Sequence, residues 1–351
     1  MRLYKYIALL IAPLLIAGCA NKEETKTDPF KSWNECTALT ALKNYVEDVT
    51  NEKSKNFIPV EDRIATFDMD GTFYGELYPT YLEYWLLHHR GLEDKTYDAP
   101  EDVKAAAQNI DDKVKKGTAL PDGFEMIHAR MQAKAFAGMT PKQFDTYVKE
   151  FLKTPVDGFS GMNYGEGFYQ PMLEVFKYLE QNNFTYYVVS GSDRYICRSL
   201  VCDSLGIQPN RVIGMDVELK SNHQEEVPNV NYTFTMSDDV VRTDNVMIKN
   251  LKMNKVMNIV QEIGKQPVLS FGNSGGDSAM HNYALKDNKY RSAAFMLIAD
   301  DEARDYGNTE KANGLAEQWR TANYNVISMR DDFKTIYKEG VTKTHFSWTA
   351  A

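Results

Sequence analysis

Two carboxylates stand one residue apart in FDMDGTFYGE, residues 67–76, directly after the apolar run Ile64-Ala65-Thr66-Phe67. A carboxylate can act as a nucleophile. A second one beside it can act as a general acid and then a general base, a role typically worth about 10²–10⁴-fold. Two more apolar runs end in polar, glycine-containing loops. Phe184–Val189 leads into Ser190-Gly191-Ser192, and Val268–Phe271 into Gly272-Asn273-Ser274-Gly275-Gly276-Asp277. Together they offer carboxylates, a hydroxyl at an expected helix N-terminus and glycine loops with free N–H groups. Hard oxygen ligands suit a divalent cation such as magnesium, and a helix N-terminus suits a phosphate.

These groups can meet only if their elements bring them together. Each short apolar run reads as a buried strand, and Gly71 follows Asp70 where the backbone needs freedom to turn. Helical periodicity is expected over Trp33–Thr50, Tyr169–Asn182 and Asn254–Ile263, with another helix from Tyr195. Phe295–Ala299 and Val326–Met329 supply further strands, and residues 212–236 alternate like a hairpin. Residues 78–152 differ: TYLEYWLLHH, PEDVKAAAQNIDDKVKK, FEMIHARMQAKAF and TPKQFDTYVKEFL all read as helices. Thr140-Pro141 is a capping residue followed by a first-turn proline. Strands alternating with helices imply an α/β fold with a mostly parallel sheet and right-handed crossovers. In such sheets ligands bind outside the carboxyl ends of the strands, where all three polar loops would lie.

The chain has 351 residues, 43% hydrophobic and 25% charged, which suits a globular protein with a sizeable core. Its net charge of -9 argues against a general nucleic-acid binder. Residues 1–18 carry Arg2 and Lys5 ahead of the apolar IALLIAPLLIA and read as a secretory signal. Ile16-Ala17-Gly18-Cys19 resembles the lipobox of bacterial lipoproteins, which implies cleavage before Cys19, lipidation of its thiol and anchoring to a cell-envelope membrane. A plain signal peptide cut nearby is the alternative. Asn21-Lys22-Glu23-Glu24 reads as a surface-export tag or simply an acidic tether. Cys36, Cys197 and Cys202 read as structural, with a bridge from Cys36 left open.

FDMDGT resembles the Asp-x-Asp-Gly-Thr motif of the haloacid dehalogenase-like (HAD) hydrolase superfamily. VVSGS resembles that family's second motif, Lys255 its third and GNSGGDSAM its fourth, in matching order across residues 60–300. The resemblance implies a three-layer Rossmann-like core over residues 59–76 and 165–346. A helical cap over 77–164 and a tether plus helix over 19–58 complete the expected organisation. It also implies Mg²⁺-dependent phosphomonoester hydrolysis through an aspartyl-phosphate. Asp68 is the expected nucleophile, and Asp70 the acid–base group that also meets the metal through its main-chain carbonyl. Ser190 and Gly191 would bind phosphate beside Gly71 and Thr72, and Lys255 would neutralise it. Lys249 and Lys252 compete for the lysine role; Lys255 is preferred because it opens a helix, as the family's lysine does. Asp277 and Asn273 are the remaining metal candidates, with Asn273 standing where the commonest pattern has Asp. That exchange removes a negative charge and should weaken metal affinity.

Caps at this position resemble the phosphoserine phosphatase-like branch, including phosphorylcholine phosphatases. The implied partner is a small phosphorylated metabolite such as phosphorylcholine or a phospho-amino acid. Glu76 is placed to pair with a substrate ammonium, and Tyr74, Tyr78, Tyr81, Tyr84 and Trp85 cluster at the cap entrance. Plainer readings stand beside these. Ser190 could be a helix N-cap, Lys255 a surface lysine, and Tyr78, Tyr81 and Trp85 a core stripe. A non-catalytic lipoprotein binding a phosphorylated ligand is the competing class, and phosphoryl transfer to an alcohol uses the same residues.

Overall fold

The computed structural model describes residues 28–76 and 80–346. The signal segment, Cys19 and Tyr78 lie outside the described residues. Strand β1 (Ile64–Phe67) is the centre of a seven-stranded sheet. The other strands are β3 (Thr185–Asp193), β4 (Val212–Ser221), β5 (Val240–Ile248), β6 (Leu269–Gly272), β7 (Ala293–Ile298) and β8 (Asn325–Ser328), in the order β5-β4-β3-β1-β6-β7-β8. All neighbours pair in parallel except β4 and β5, which form an antiparallel hairpin. A two-stranded ribbon joins β2 (Phe159–Ser160) to β9 (Thr342–Lys343). The architecture is α/β and Rossmann-like, as the alternating pattern implied.

Helices cover the sheet: α1 (Thr37–Thr50), α6 (Gln170–Gln181), α7 (Arg194–Leu205), α8 (Met253–Asn258), α9 (Ser278–Leu285), α10 (Thr309–Thr321) and the short α11 (Met329–Asp332). Between β1 and β3 the chain inserts α2 (Leu82–His88), α3 (Glu101–Lys116), α4 (Phe124–Ala135) and α5 (Pro141–Phe151). Thr140 caps α5 through a capping box with Gln143, as Thr140-Pro141 implied. Insert and hairpin share an apolar seam, in which Ala129 and Ala133 of α4 pack against Met215 and Val217 of β4.

Two expectations are corrected. The first helix starts at Thr37 with Cys36 as N-cap; Trp33 instead makes an isolated bridge to Phe333. The second hairpin strand is Val240–Ile248, beyond the expected 212–236, because residues 222–239 form the connecting loop. The bridge left open from Cys36 does not form among the described residues, where Cys36, Cys197 and Cys202 are all free thiols. Among the described residues no helix is long and apolar enough to cross a membrane.

Register sets the site. β1 aligns Phe67 with Val188 of β3 and with Phe271 of β6. Asp68 N–H continues the ladder, donating to the Phe271 carbonyl at 2.9 Å. Asp68, Val189 and Gly272 therefore follow at one level across the sheet, although β3 runs on to Asp193. Beneath them Phe67 stacks on Phe271 at 4.2 Å and Phe271 on Phe295 of β7 at 5.0 Å, a cross-strand ladder that stiffens the floor.

Candidate active site

The chain turns sharply after β1. Gly71 N–H donates to the Tyr74 carbonyl at 2.6 Å, and Gly71 sits at φ 77°. A Cβ there would strike the Asn273 amide and the Glu76 carboxylate, so glycine is needed for space as well as for backbone sign. Gly272 is similarly constrained: a Cβ would meet the Asp277 side chain at 2.7 Å. These two glycines let the β1 and β6 loops close on each other.

Lys255 lies between those loops. Its ammonium donates to Asp68 Oδ1 at 2.6 Å and to Asp277 Oδ1 at 2.7 Å. Lys255 and Asp277 are each 1% exposed and Asp68 8%. Burial alone would lower the lysine, but Asp277 and Asp68 together hold it well above its usual range. Burial would raise Asp277, and Lys255 overcomes that to keep it low. Burial and the Asp277 charge push Asp68 up in spite of Lys255. The other lysine candidates are excluded from this role by position. Lys249 pairs with Glu83 of α2 at 2.9 Å, and Lys252 is exposed at φ 53° where the chain enters α8. Asn250, Asn254 and Asn258 hold this stretch in place. Asn250 Nδ2 donates to the Ser190 carbonyl at 2.9 Å, Asn254 Nδ2 to the Lys249 carbonyl at 2.8 Å, and Asn258 Nδ2 to Asn250 Oδ1 at 3.0 Å. Their four-residue spacing was the available sequence signal.

Asp70 is raised well above a usual carboxylate, first by burial and then by the charges of Asp68 and Glu83. Its Oδ2 accepts the Ser192 hydroxyl at 2.9 Å, while Oδ1 is buried with no partner among the described residues. Sequence reasoning missed Ser192. It had placed Ser190 at a helix N-terminus; instead β3 continues to Asp193, whose side chain caps α7 by accepting from Tyr195 N–H at 2.9 Å. The Ser190 hydroxyl accepts from Ser192 N–H at 3.1 Å, and Ser190 is fully buried, whereas Gly191 and Ser192 line the cavity.

The cavity, of about 160 Å³, is lined by Asp68, Asp70, Glu76, Glu83, Glu125 and Asp277 against the ammonium groups of Lys249 and Lys255. Asn273 donates its amide to Glu76, and burial raises Glu76 although Tyr81 and Asn273 bond to it. Thr72 is buried with its hydroxyl 3.5 Å from Asp68 Oδ2. The aromatic cluster divides. Tyr81 and Tyr84 line the cavity with rings 5.2 Å apart, Trp85 stacks on His88 at 4.1 Å, and the Tyr74 hydroxyl donates to the Tyr164 carbonyl at 2.5 Å.

Among the described residues no three His, Cys, Asp or Glu side chains form a ready cation cage. The donor set still suits a hard cation that keeps most of its waters. The cavity has excess carboxylate, Asp70 Oδ1 is unpartnered, and Asp68 Oδ2 has only the long Thr72 contact. Asp277 has less to give. Its Oδ2 already accepts Asn273 N–H at 3.2 Å, Ser274 N–H at 3.0 Å and the Ser274 hydroxyl at 3.0 Å, so what remains is Oδ1, which Lys255 also contacts.

No family model and no curated protein sequence matches the chain. Solved structures do. The chain is similar to a conserved protein of unknown function from Anaerococcus prevotii, at 14% identity and TM-score 0.52 over 90% of this chain and 99% of that one. It is also similar to a cytosolic 5'-nucleotidase IIIB bound to cytidine, at 11% identity and TM-score 0.45 over 77% and 81% of the two chains. A phosphoserine phosphohydrolase-like protein from Francisella tularensis matches at 11% identity and TM-score 0.39 over 76% and 94%. The Anaerococcus likeness is one of fold, and it spans nearly the whole of both chains.

Proposed function

We propose that this chain is a Mg²⁺-dependent phosphomonoester hydrolase of the haloacid dehalogenase type, acting on a small phosphorylated metabolite. The observation that carries this reading is Lys255 bridging Asp68 and Asp277 at 2.6 and 2.7 Å beneath an acid held separately by Ser192. A nucleophile is helped by a nearby positive charge and a proton donor by a site that disfavours its anion; Asp68 has Lys255 against it, and Asp70 has burial and neighbouring carboxylates.

In this mechanism Asp68 Oδ2, the oxygen not bonded to Lys255, attacks phosphorus. The P–O bond to the leaving group breaks, and Asp70 gives its proton to the departing oxygen, releasing the alcohol. Asp70 then takes a proton from water as that water's oxygen attacks the aspartyl-phosphate, which frees phosphate and restores the Asp68 carboxylate. Lys255 offsets charge throughout, and the N–H of Gly191, at the cavity wall, is an expected phosphate donor, whereas the Gly71 N–H is held by the Tyr74 carbonyl. Mg²⁺, when bound, would polarise the phosphoryl oxygens; Asp68, the Asp70 main-chain carbonyl and Asp277 Oδ1 would hold it with waters. Asn273 is bonded to Glu76 and is read as tethering that carboxylate. Tyr81, Tyr84 and the acidic wall favour a substrate with a cationic head, such as phosphorylcholine or a phospho-amino acid. Anchoring to a bacterial envelope membrane through Cys19 belongs to the same proposal, supported by the lipobox-like Ile16–Cys19.

The test is phosphate release from p-nitrophenyl phosphate with Mg²⁺ and with EDTA. Turnover is expected with the metal, and loss of it in EDTA and in Asp68→Asn. Activity surviving in Asp68→Asn removes the covalent mechanism. Binding of phosphate esters without any turnover favours the non-catalytic reading.

A further inference from the structure

We propose that Ser192 and Glu83 are positioning residues that fix the Asp70 carboxyl and leave its Oδ1 to the leaving group, with Glu83 supplied by the helical insert. The inference rests on the phosphoester reading and goes beyond it, because neither residue belongs to the four motifs.

The geometry is a pinned corner. Ser192 and Asp193 end β3, and each backbone N–H is held. Ser192 N–H donates to Ser190 Oγ at 3.1 Å from within the strand, and Asp193 N–H donates to Glu83 Oε2 at 3.2 Å from α2. Glu83 is itself fixed, since its Oε1 accepts from Lys249 at 2.9 Å and its carbonyl lies 3.1 Å from His128 Nε2. The Asp193 carboxylate is gripped by buried Arg242 at 2.5 and 3.4 Å, and the guanidinium packs 4.1 Å from the Phe144 ring of α5. Glu83 and Ser192 are each 5% exposed, so neither is free to swing in solvent.

A corner held on both sides leaves the Ser192 hydroxyl one use, the bond to Asp70 Oδ2 at 2.9 Å. That bond decides which Asp70 oxygen works. Oδ2 is held by the Ser192 hydroxyl, which leaves Oδ1, the oxygen with no partner among the described residues, for the leaving group. Without Ser192 the carboxyl can rotate about χ2 and present either oxygen. Without Glu83 the corner loses its anchor in the insert, and Lys249 loses its partner in the cavity wall. The insert thus completes the acid–base apparatus from outside the sheet. Positioning of this kind acts on the transition state, where small misplacements of a proton donor are costly.

The experiment separates proton donation from general damage. Phenyl phosphate and 2,4-dinitrophenyl phosphate have nearly the same shape, but only phenolate needs a proton to leave well. The parameter is kcat/KM, which ends at release of the first product and so excludes the later water attack. In the full-length chain with Mg²⁺, Ser192→Ala is expected to lower kcat/KM for phenyl phosphate about 100-fold and for the dinitrophenyl ester less than about 3-fold. Glu83→Gln should show the same selectivity in weaker form, and Ser192→Thr, which keeps the hydroxyl, should restore the phenyl ester. Melting curves establish that each variant is folded. Equal losses on both esters in folded Ser192→Ala, or no loss on either, overturn the positioning role while leaving the phosphoester reading intact. A wild-type chain that releases phosphate from neither ester overturns both.

Discussion

Replacing Lys255 by Met keeps the aliphatic stem and deletes the charge that joins two buried carboxylates. The ammonium makes contacts of 2.6 and 2.7 Å to Asp68 and Asp277, and the three groups are between 1% and 8% exposed. Removing one partner of a buried ion pair costs about 3–5 kcal/mol, because the survivor is left charged in a poor solvent. Two survivors remain here, yet the cost should not double, since one of them can take up a proton. Lys255→Met is therefore expected to lower unfolding free energy by about 3–5 kcal/mol. Denaturant unfolding would show this as a lower midpoint at unchanged slope. EDTA must be present, because a bound cation would stand in for the ammonium. Adding Asp277→Asn removes one of the facing charges and should recover about 1–3 kcal/mol, so the double mutant costs less than the sum of the singles. Turnover should not return with stability: loss of a preorganised charge at a developing anion costs about 10²–10³-fold in kcat. A folding free energy for Lys255→Met within about 0.5 kcal/mol of wild type, or strict additivity in the double mutant, would refute this account of the triad.

Gly71→Ala should destabilise the chain by about 1–3 kcal/mol from the positive φ alone. It should also depress activity, because the new methyl displaces Asn273 and Glu76; a thermal melt and a phosphatase assay check the two effects. Asp305 supplies a pH test far from the candidate chemistry. Burial raises its carboxyl from 3.8 to about 6, against bonds from Tyr306 N–H and the Tyr337 hydroxyl. A carboxyl raised on folding contributes stability that is fully present below its unfolded value and is lost as pH rises through its folded value. At about 1.4 kcal/mol per pH unit, the loss between pH 4 and 6 is roughly 3 kcal/mol. Asp305→Asn should flatten that part of the stability profile measured by denaturant unfolding, and an unchanged profile would assign the dependence elsewhere.

The sequence by itself determined most of the elements and some of the places where they end. Short apolar runs closed by Asp68 and by Asn273 could be read because strand termination is local chemistry, and the four insert helices could be read because 3.6-residue periodicity is local too; β3 instead runs through Ser190 to Asp193. Strand register then brought Asp68 and the β6 loop to one level, as buried parallel strands require. What tertiary structure alone decided is which side chains face each other. Lys255 is preferred over Lys249 and Lys252 because it opens a helix, but the contacts are decided in three dimensions: the entry into α8, held by Asn250 and Asn258, turns Lys255 toward Asp68 and sends Lys249 to Glu83. Ser190 and Ser192 would share a face on a regular strand, but the register of β3 against β4 shifts between Val189 and Asp193. That irregularity buries Ser190 and gives Asp70 to Ser192. Glu83 left no local mark because its partners, Asp193 and Lys249, lie 110 and 166 residues away. Hydrogen bonds at that separation are set by how the insert docks on the sheet, and no spacing within α2 encodes them.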